Sequence, residues 1–289
     1  NHAYGDFDKI GGFKRAHAER VLEEIGSVQI QIPCFTNHGD SFNIQNVGID
    51  APYHQGDMPG SEAYHADLLR QFGTRYIWID SAIFARESRR IWSIPRLYST
   101  PAIAMQRLQD GQEFFVFKRF RSTGENAPNL SSLNYQIEQA NLKELYKMRG
   151  MIIIYQHLGV LCRNAGKCIP ATVEAVRSRP EVFLAPWYRI AREVHEGRLW
   201  LSALHVLLQY SEMFSSTHII QKGDVAELAT ESVIANPDEY FQGLTFYINP
   251  KERLSLVYSG TQLRLVYNGP DETGKYSATV PLRKKEDVW

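Results

Sequence analysis

Apolar residues recur at helical spacing between Phe13 and Ile25, with Ala16, Ala18, Val21 and Leu22 completing one stripe and Gly26 following as a stop. Val28, Ile30 and Ile32 then alternate with polar residues, which predicts a strand over Ser27–Phe35 that ends near Pro33-Cys34. The same reading predicts a helix over Ser61–Phe72 closed by Gly73, a short strand over Arg75–Ile79 with Asp80 at its end, and weak strands or loops over 86–112. A strand over Phe114–Phe120, a helix over Leu130–Met148 and a β-branched strand over Met151–Tyr155 follow. Consecutive apolar positions in that last strand predict cover on both faces. A helix over Pro180–Gly197, a brief strand over Leu199–Leu201 and a short helix over Ala203–Tyr210 complete this part. Alternating strands and helices predict βα units and a parallel sheet.

Beyond Asn236-Pro237 the pattern changes. Leu244–Ile248, Leu254–Tyr258, Gln262–Tyr267 and Ser277–Pro281 are short strand-like runs, broken by Asn249-Pro250, Ser259-Gly260 and Asn268-Gly269-Pro270. This reads as a small antiparallel β module. The expected organisation is an α/β domain over 1–235 and a β-rich module over 236–289.

Composition narrows the function classes. The 289 residues are 44% apolar and 12% aromatic, ample for a core, and 32 basic residues balance 32 acidic ones. No basic excess points to nucleic acid, and a neutral glycan is a compatible partner. No apolar run approaches the length of a membrane span. Cys34, Cys162 and Cys168 are an odd set that reads neither as a disulfide framework nor as a zinc site. The chain opens on Asn1, inside what looks like a motif, and is expected to be truncated or processed there. Cytoplasmic and periplasmic or secreted settings both stay open.

Four constellations could carry chemistry. His2 and Asp6, four apart, can meet one metal if the backbone curves, although a polar terminus would look the same. Asn37, His38, Asp40, Asn43, Gln45 and Asn46 crowd the segment after the first predicted strand, where α/β folds gather ligand loops; a solvated Asx-rich turn is the alternative. Trp78-Ile79-Asp80 ends the next strand, where Asp80 can orient a histidine, bind a metal or cap a helix. His157 follows the apolar strand and precedes Leu158-Gly159, a position open to a general acid or base and equally to a structural histidine. His54 flanks a turn-rich loop, Gln55–Gly60, and is a candidate rim residue for substrate. There is no phosphate-binding glycine loop and no nucleophile elbow.

Taken in order, these segments resemble the polysaccharide deacetylase family. Asn1-His2-Ala3-Tyr4-Gly5-Asp6 is similar to that family's Asn-His-Thr-Tyr-Ser-His motif, with Asp6 where the second histidine stands. Ala63–Trp78 resembles the helix and strand leading to the Asp/Trp motif, which Asp80 matches loosely, and Ile152–His157 resembles the final strand. The resemblance spans about residues 1–210 and implies a distorted (β/α) barrel followed by the β module. It implies a divalent metal, zinc above all, on His2 and Asp6, a general acid at His157, and Asp80 beside it. Substrate contacts would come from His38, Asp40, Asn43, His54 and Trp78. The family's paired-aspartate motif would precede Asn1. The implied activity is removal of acetyl groups from a polysaccharide or oligosaccharide. A catalytically inactive glycan-binding relative is the alternative, and a metal-dependent glycoside hydrolase or amidase of the same barrel is a third.

Overall fold

The computed structural model describes residues 4, 7, 12–37, 43–48, 54–79, 103–117, 129–148, 151–162, 168–251, 253–271 and 274–282. The chain divides into two compact units, Asn1–Trp200 and Leu201–Trp289.

In the first unit, helix α1 (Arg15–Ser27) buries Ala18 and Leu22. Phe13, Leu22, Ala63 and Leu68 form one apolar cluster that joins it to helix α2 (Ala66–Gln71). Arg15 grips Asp67 through two nitrogens, at 2.7 and 2.9 Å, and fixes the pairing of the two helices. Gly26 is required by close approach: a Cβ there would sit 2.9 Å from the Phe72 ring. Strands β1 (Cys34–Thr36), β2 (Tyr76–Trp78), β3 (Ile103–Arg107) and β4 (Glu113–Phe117) form a sheet of order β1-β2-β4-β3. β1, β2 and β4 are parallel, with Cys34 opposite Tyr76 and Thr36 opposite Trp78, and β3 runs antiparallel to β4. Phe35, Ile77, Phe114 and Val116 from this sheet meet Ala66 and Leu69 of α2 in one core. Helix α2 lies in the connection between β1 and β2, which pair in parallel.

Three elements depart from expectation. Strand β1 starts only at Cys34, because α1 runs on to Ser27 and Gln29 turns the chain at φ 56°, leaving Val28 and Ile30 exposed. The helix expected over Leu130–Met148 is broken into a 3-10 turn (Leu130–Ser132), α3 (Leu133–Gln136) and α4 (Gln139–Met148). The Asn141 amide causes this by donating to the carbonyls of Tyr135 (2.8 Å) and Gln136 (3.2 Å), which ends α3. Met151–Tyr155 is not assembled into a strand; His157 makes an isolated parallel bridge to Asn129. A two-stranded ribbon, β5 (Val160–Cys162) with β6 (Cys168–Pro170), and helices α5 (Val173–Ser178), α6 (Pro180–Phe183) and α7 (Ala185–His195) follow.

The second unit comprises helix α8 (Leu204–Ser216), the hairpin β7 (Thr217–Lys222) and β8 (Val225–Thr230), helix α9 (Pro237–Tyr240), and strands β9 (Thr245–Ile248), β10 (Ser255–Tyr258), β11 (Thr261–Leu263), β12 (Val266–Asn268) and β13 (Tyr276–Thr279). They form sheets β11-β10-β8-β7 and β12-β13-β9. The unit begins earlier than the 235/236 division expected, because Met213, Ala226 and Leu228 bury themselves with Phe241, Leu244, Leu256 and Val280 in one core. Its pairing is also mixed, since β10 runs parallel to β8. Among the described residues the strands fall into four separate sheets, none closed on itself. No helix among them is long and apolar enough to cross a membrane.

Candidate functional site

The C-terminal end of β1 leads directly into a buried polar layer. Asn37, the next residue, binds Val47 in both directions: its amide donates to the Val47 carbonyl (2.8 Å) and its Oδ1 accepts the Val47 N–H (3.0 Å). This ties the end of β1 to Val47, ten residues on, at a neck. Below the neck lies Asp57, fully buried, accepting from Gly48 N (3.0 Å), Gln109 N (3.0 Å) and Gln109 Nε2 (3.1 Å). Burial pushes its carboxyl upward against the pull of these donors. Asp57 therefore staples the loop after β1 to the turn between β3 and β4.

Asn43 is also fully buried, its Oδ1 accepting from Gln45 N (3.3 Å) and Gln45 Nε2 (3.1 Å). Gln45 Oε1 in turn accepts the backbone N–H of Tyr4 at 2.9 Å. Asn46 Nδ2 lies 3.5 Å from Nε2 of the buried His54, and the His54 carbonyl lies 3.5 Å from Gln109 Nε2. Tyr4 packs against Phe13 (5.5 Å between ring centroids), Phe35 (5.6 Å) and, edge-on, His65 (5.1 Å). His65 is wholly buried, and burial pulls its imidazole down to about 4. A neutral ring donates from Nδ1 to the Ala63 carbonyl at 2.8 Å, which leaves Nε2 as an acceptor.

Tyr4 Oη, Asn43 Nδ2 and His65 Nε2 are buried and have no hydrogen-bond partner among the described residues. Burial also raises the Tyr4 phenol above its ordinary range. Each such group costs about 1–3 kcal/mol, and three together make a costly arrangement for a purely structural loop.

Of the residues singled out from sequence, His2, Asp6, His38, Asp40 and Asp80 lie outside the described residues. Asn43, His54 and Trp78 are described and buried, Trp78 within β2 between its neighbours β1 and β4. His157 stands in a different cluster, half-buried, with Nε2 2.6 Å from Tyr155 Oη. Beside it Gln156 donates to Ser132 Oγ (3.2 Å) and to Gln136 Oε1. Among the described residues no three His, Cys, Asp or Glu side chains converge as a metal site.

Asp57, Gln109 and His65 were not legible as site residues. Gly56-Asp57-Met58-Pro59-Gly60 reads as a turn, and the partner that buries the carboxylate is 52 residues away. A second ionic cluster is structural. The buried Glu193 of α7 is held down to about 2 by the Arg198 guanidinium (2.7 Å), and it accepts from Tyr146 Oη of α4 at 2.6 Å. Compared with family models, curated proteins and solved structures, the chain matches none.

Proposed function

We propose that the chain is a metal-dependent hydrolase of the polysaccharide deacetylase type, removing acetyl groups from a glycan, its first unit belonging to a distorted (β/α) barrel. The observation that carries this reading is the anchoring of Tyr4, which lies midway between His2 and Asp6 in sequence. Its N–H is held by Gln45 of the loop after β1, and its ring packs on Phe35 of that strand. The segment of the expected metal donors is thereby tied to the segment of the expected substrate contacts. The parallel register of β1 and β2 adds support, since their C-terminal ends lie side by side and continue toward His38 and Asp80.

His2 and Asp6 offer an imidazole nitrogen and a carboxylate oxygen, both suited to zinc. When bound, the metal supplies Lewis-acid polarisation of the acyl carbonyl. In this reading His157 protonates the departing amine or hydroxyl, with the Tyr155 hydroxyl fixing its ring, and Asp80 orients it. His38 and Asp40 hydrogen-bond sugar hydroxyls, while Asn43, His54 and Trp78 shape the floor beneath them.

A non-catalytic glycan-binding protein of the same fold is the second reading, favoured by Asp6 where the family motif has histidine. Acetate release from N-acetylated glucosamine oligomers and from O-acetylated xylan, with zinc supplied, tests the choice. Turnover that drops at least about 100-fold in His157→Ala supports the enzyme. Saturable binding of these glycans without acetate release supports the second reading, and neither binding nor release removes both.

A further inference from the structure

The ribbon that follows His157 pairs two cysteines that the sequence does not single out as partners. Cys162 ends β5, Cys168 opens β6, and the antiparallel register sets Val160 opposite Pro170, Leu161 opposite Ile169 and Cys162 opposite Cys168. Hydrogen-bonded and non-hydrogen-bonded positions alternate along such a ladder. Ala171 N donates to the Gly159 carbonyl at 2.8 Å, so 159 and 171 occupy a hydrogen-bonded position. Pro170, which has no N–H, falls opposite Val160 at the next, non-hydrogen-bonded one. Leu161 and Ile169 are then hydrogen-bonded, and Cys162 and Cys168 are not. At such positions the Cα atoms approach to about 4.5 Å. Disulfides span Cα separations of about 4.4–6.8 Å.

We infer that Cys162 and Cys168 are a disulfide-forming pair, a redox-sensitive clasp across the ribbon β5–β6. Five residues separate them in sequence, and Ile169 and Pro170 are exposed, so the ribbon is open to thiol reagents. The third cysteine, Cys34, lies in β1, on another element. Oxidised glutathione serves as the oxidant. One cysteine thiolate attacks a glutathione sulfur, forming a mixed disulfide and releasing one glutathione. The other thiolate displaces the second glutathione. Two protein thiols give up two electrons and two protons, and one oxidised glutathione becomes two reduced molecules. The clasp acts next to the candidate general acid: Val160 N donates to the His157 carbonyl at 3.1 Å, and Leu161 packs with Leu130 and Phe183. An oxidising compartment preserves such a bond and a reducing cytosol opens it.

The test is a peptide map of the full chain after equilibration in glutathione buffers, acid quench, denaturation and alkylation with N-ethylmaleimide. In oxidising buffer Cys34 is expected to carry the label, and the peptides of Cys162 and Cys168 to be joined. Reduction is expected to lower Tm by about 5 °C. Cys34→Ser should keep that shift; Cys162→Ser and Cys168→Ser should each abolish it and show two labelled thiols. Three labelled cysteines in oxidising buffer, or Cys34 joined to either of the others, would overturn the inference. The wild-type map alone decides if a variant fails to fold, and it reads the bond whatever the glycan activity proves to be.

Discussion

Two tyrosine hydroxyls set the two units apart. Tyr258 in the second unit has its hydroxyl fully engaged, accepting from Ile234 N (2.9 Å) and lying 2.9 Å from Thr230 Oγ1, and these bonds, Thr230 first, lower its pKa. Around it the core is apolar, built of Leu228, Phe241, Leu244, Leu256 and Val280. Tyr4 in the first unit is half-buried, and its buried hydroxyl has no partner among the described residues, like a nearby histidine nitrogen and asparagine amide. The second unit pairs the hydroxyl that its apolar core surrounds. The other tolerates a polar layer under the loop after β1, with donors and acceptors left over. Such unpaired groups concentrate where a protein handles a ligand.

The largest expected effect comes from removing the staple of that polar layer. Asp57→Ala strips the acceptor from three donors at once and is expected to lower the unfolding free energy by about 3–4 kcal/mol, read from denaturant midpoints. A loss below about 1 kcal/mol would mean that the layer is not closed as described.

The pH dependence comes next. His65 titrates near 4 when folded, against an ordinary 6.5. The unfolded chain therefore binds the extra proton between these values. Stability from this group is complete above pH 6.5 and declines as pH falls toward 4, by about 3 kcal/mol in all. His65→Phe, which keeps an aromatic ring beside Tyr4, should flatten that part of the profile. An unchanged slope would place the titration elsewhere.

In the apolar core of the second unit, Leu256→Ala is expected to cost about 3 kcal/mol, with no change in the pH profile assigned to His65. The smallest effect is the sharpest for the comparison. Tyr258→Phe should cost about 1–2 kcal/mol, whereas Tyr4→Phe should be neutral or stabilising by about 1 kcal/mol. Equal costs at the two positions would erase the distinction between the units.

The sequence discloses burial more readily than pairing. The run Phe114–Phe117 reads as a strand and is one, because β2 and β3 flank it. Met151–Tyr155 has a similar apolar run, yet among the described residues it carries only a single bridge position, at Ile154, and no strand; Ile153 is buried. The hairpin β7–β8 gave no alternating signal on its first strand, where five of six positions are exposed, so its pairing was illegible. At the site, the loop after β1 was marked by its density of Asn, Gln and His. Its two anchors were not, because Tyr4 and Gln109 reach it from 41 and 52 residues away from their partners. Nor does spacing reveal that Cys162 and Cys168 are opposite positions of one ladder; that follows from the register.

Zinc stoichiometry of the purified chain, measured by inductively coupled plasma mass spectrometry for the wild type and for His2→Ala, tests the functional account most directly. The expected result is close to one zinc per chain, lost on the substitution while the far-UV circular dichroism spectrum stays unchanged. No retained zinc in the wild type, or equal zinc in both proteins, would contradict a metal centre on the segment that Tyr4 anchors.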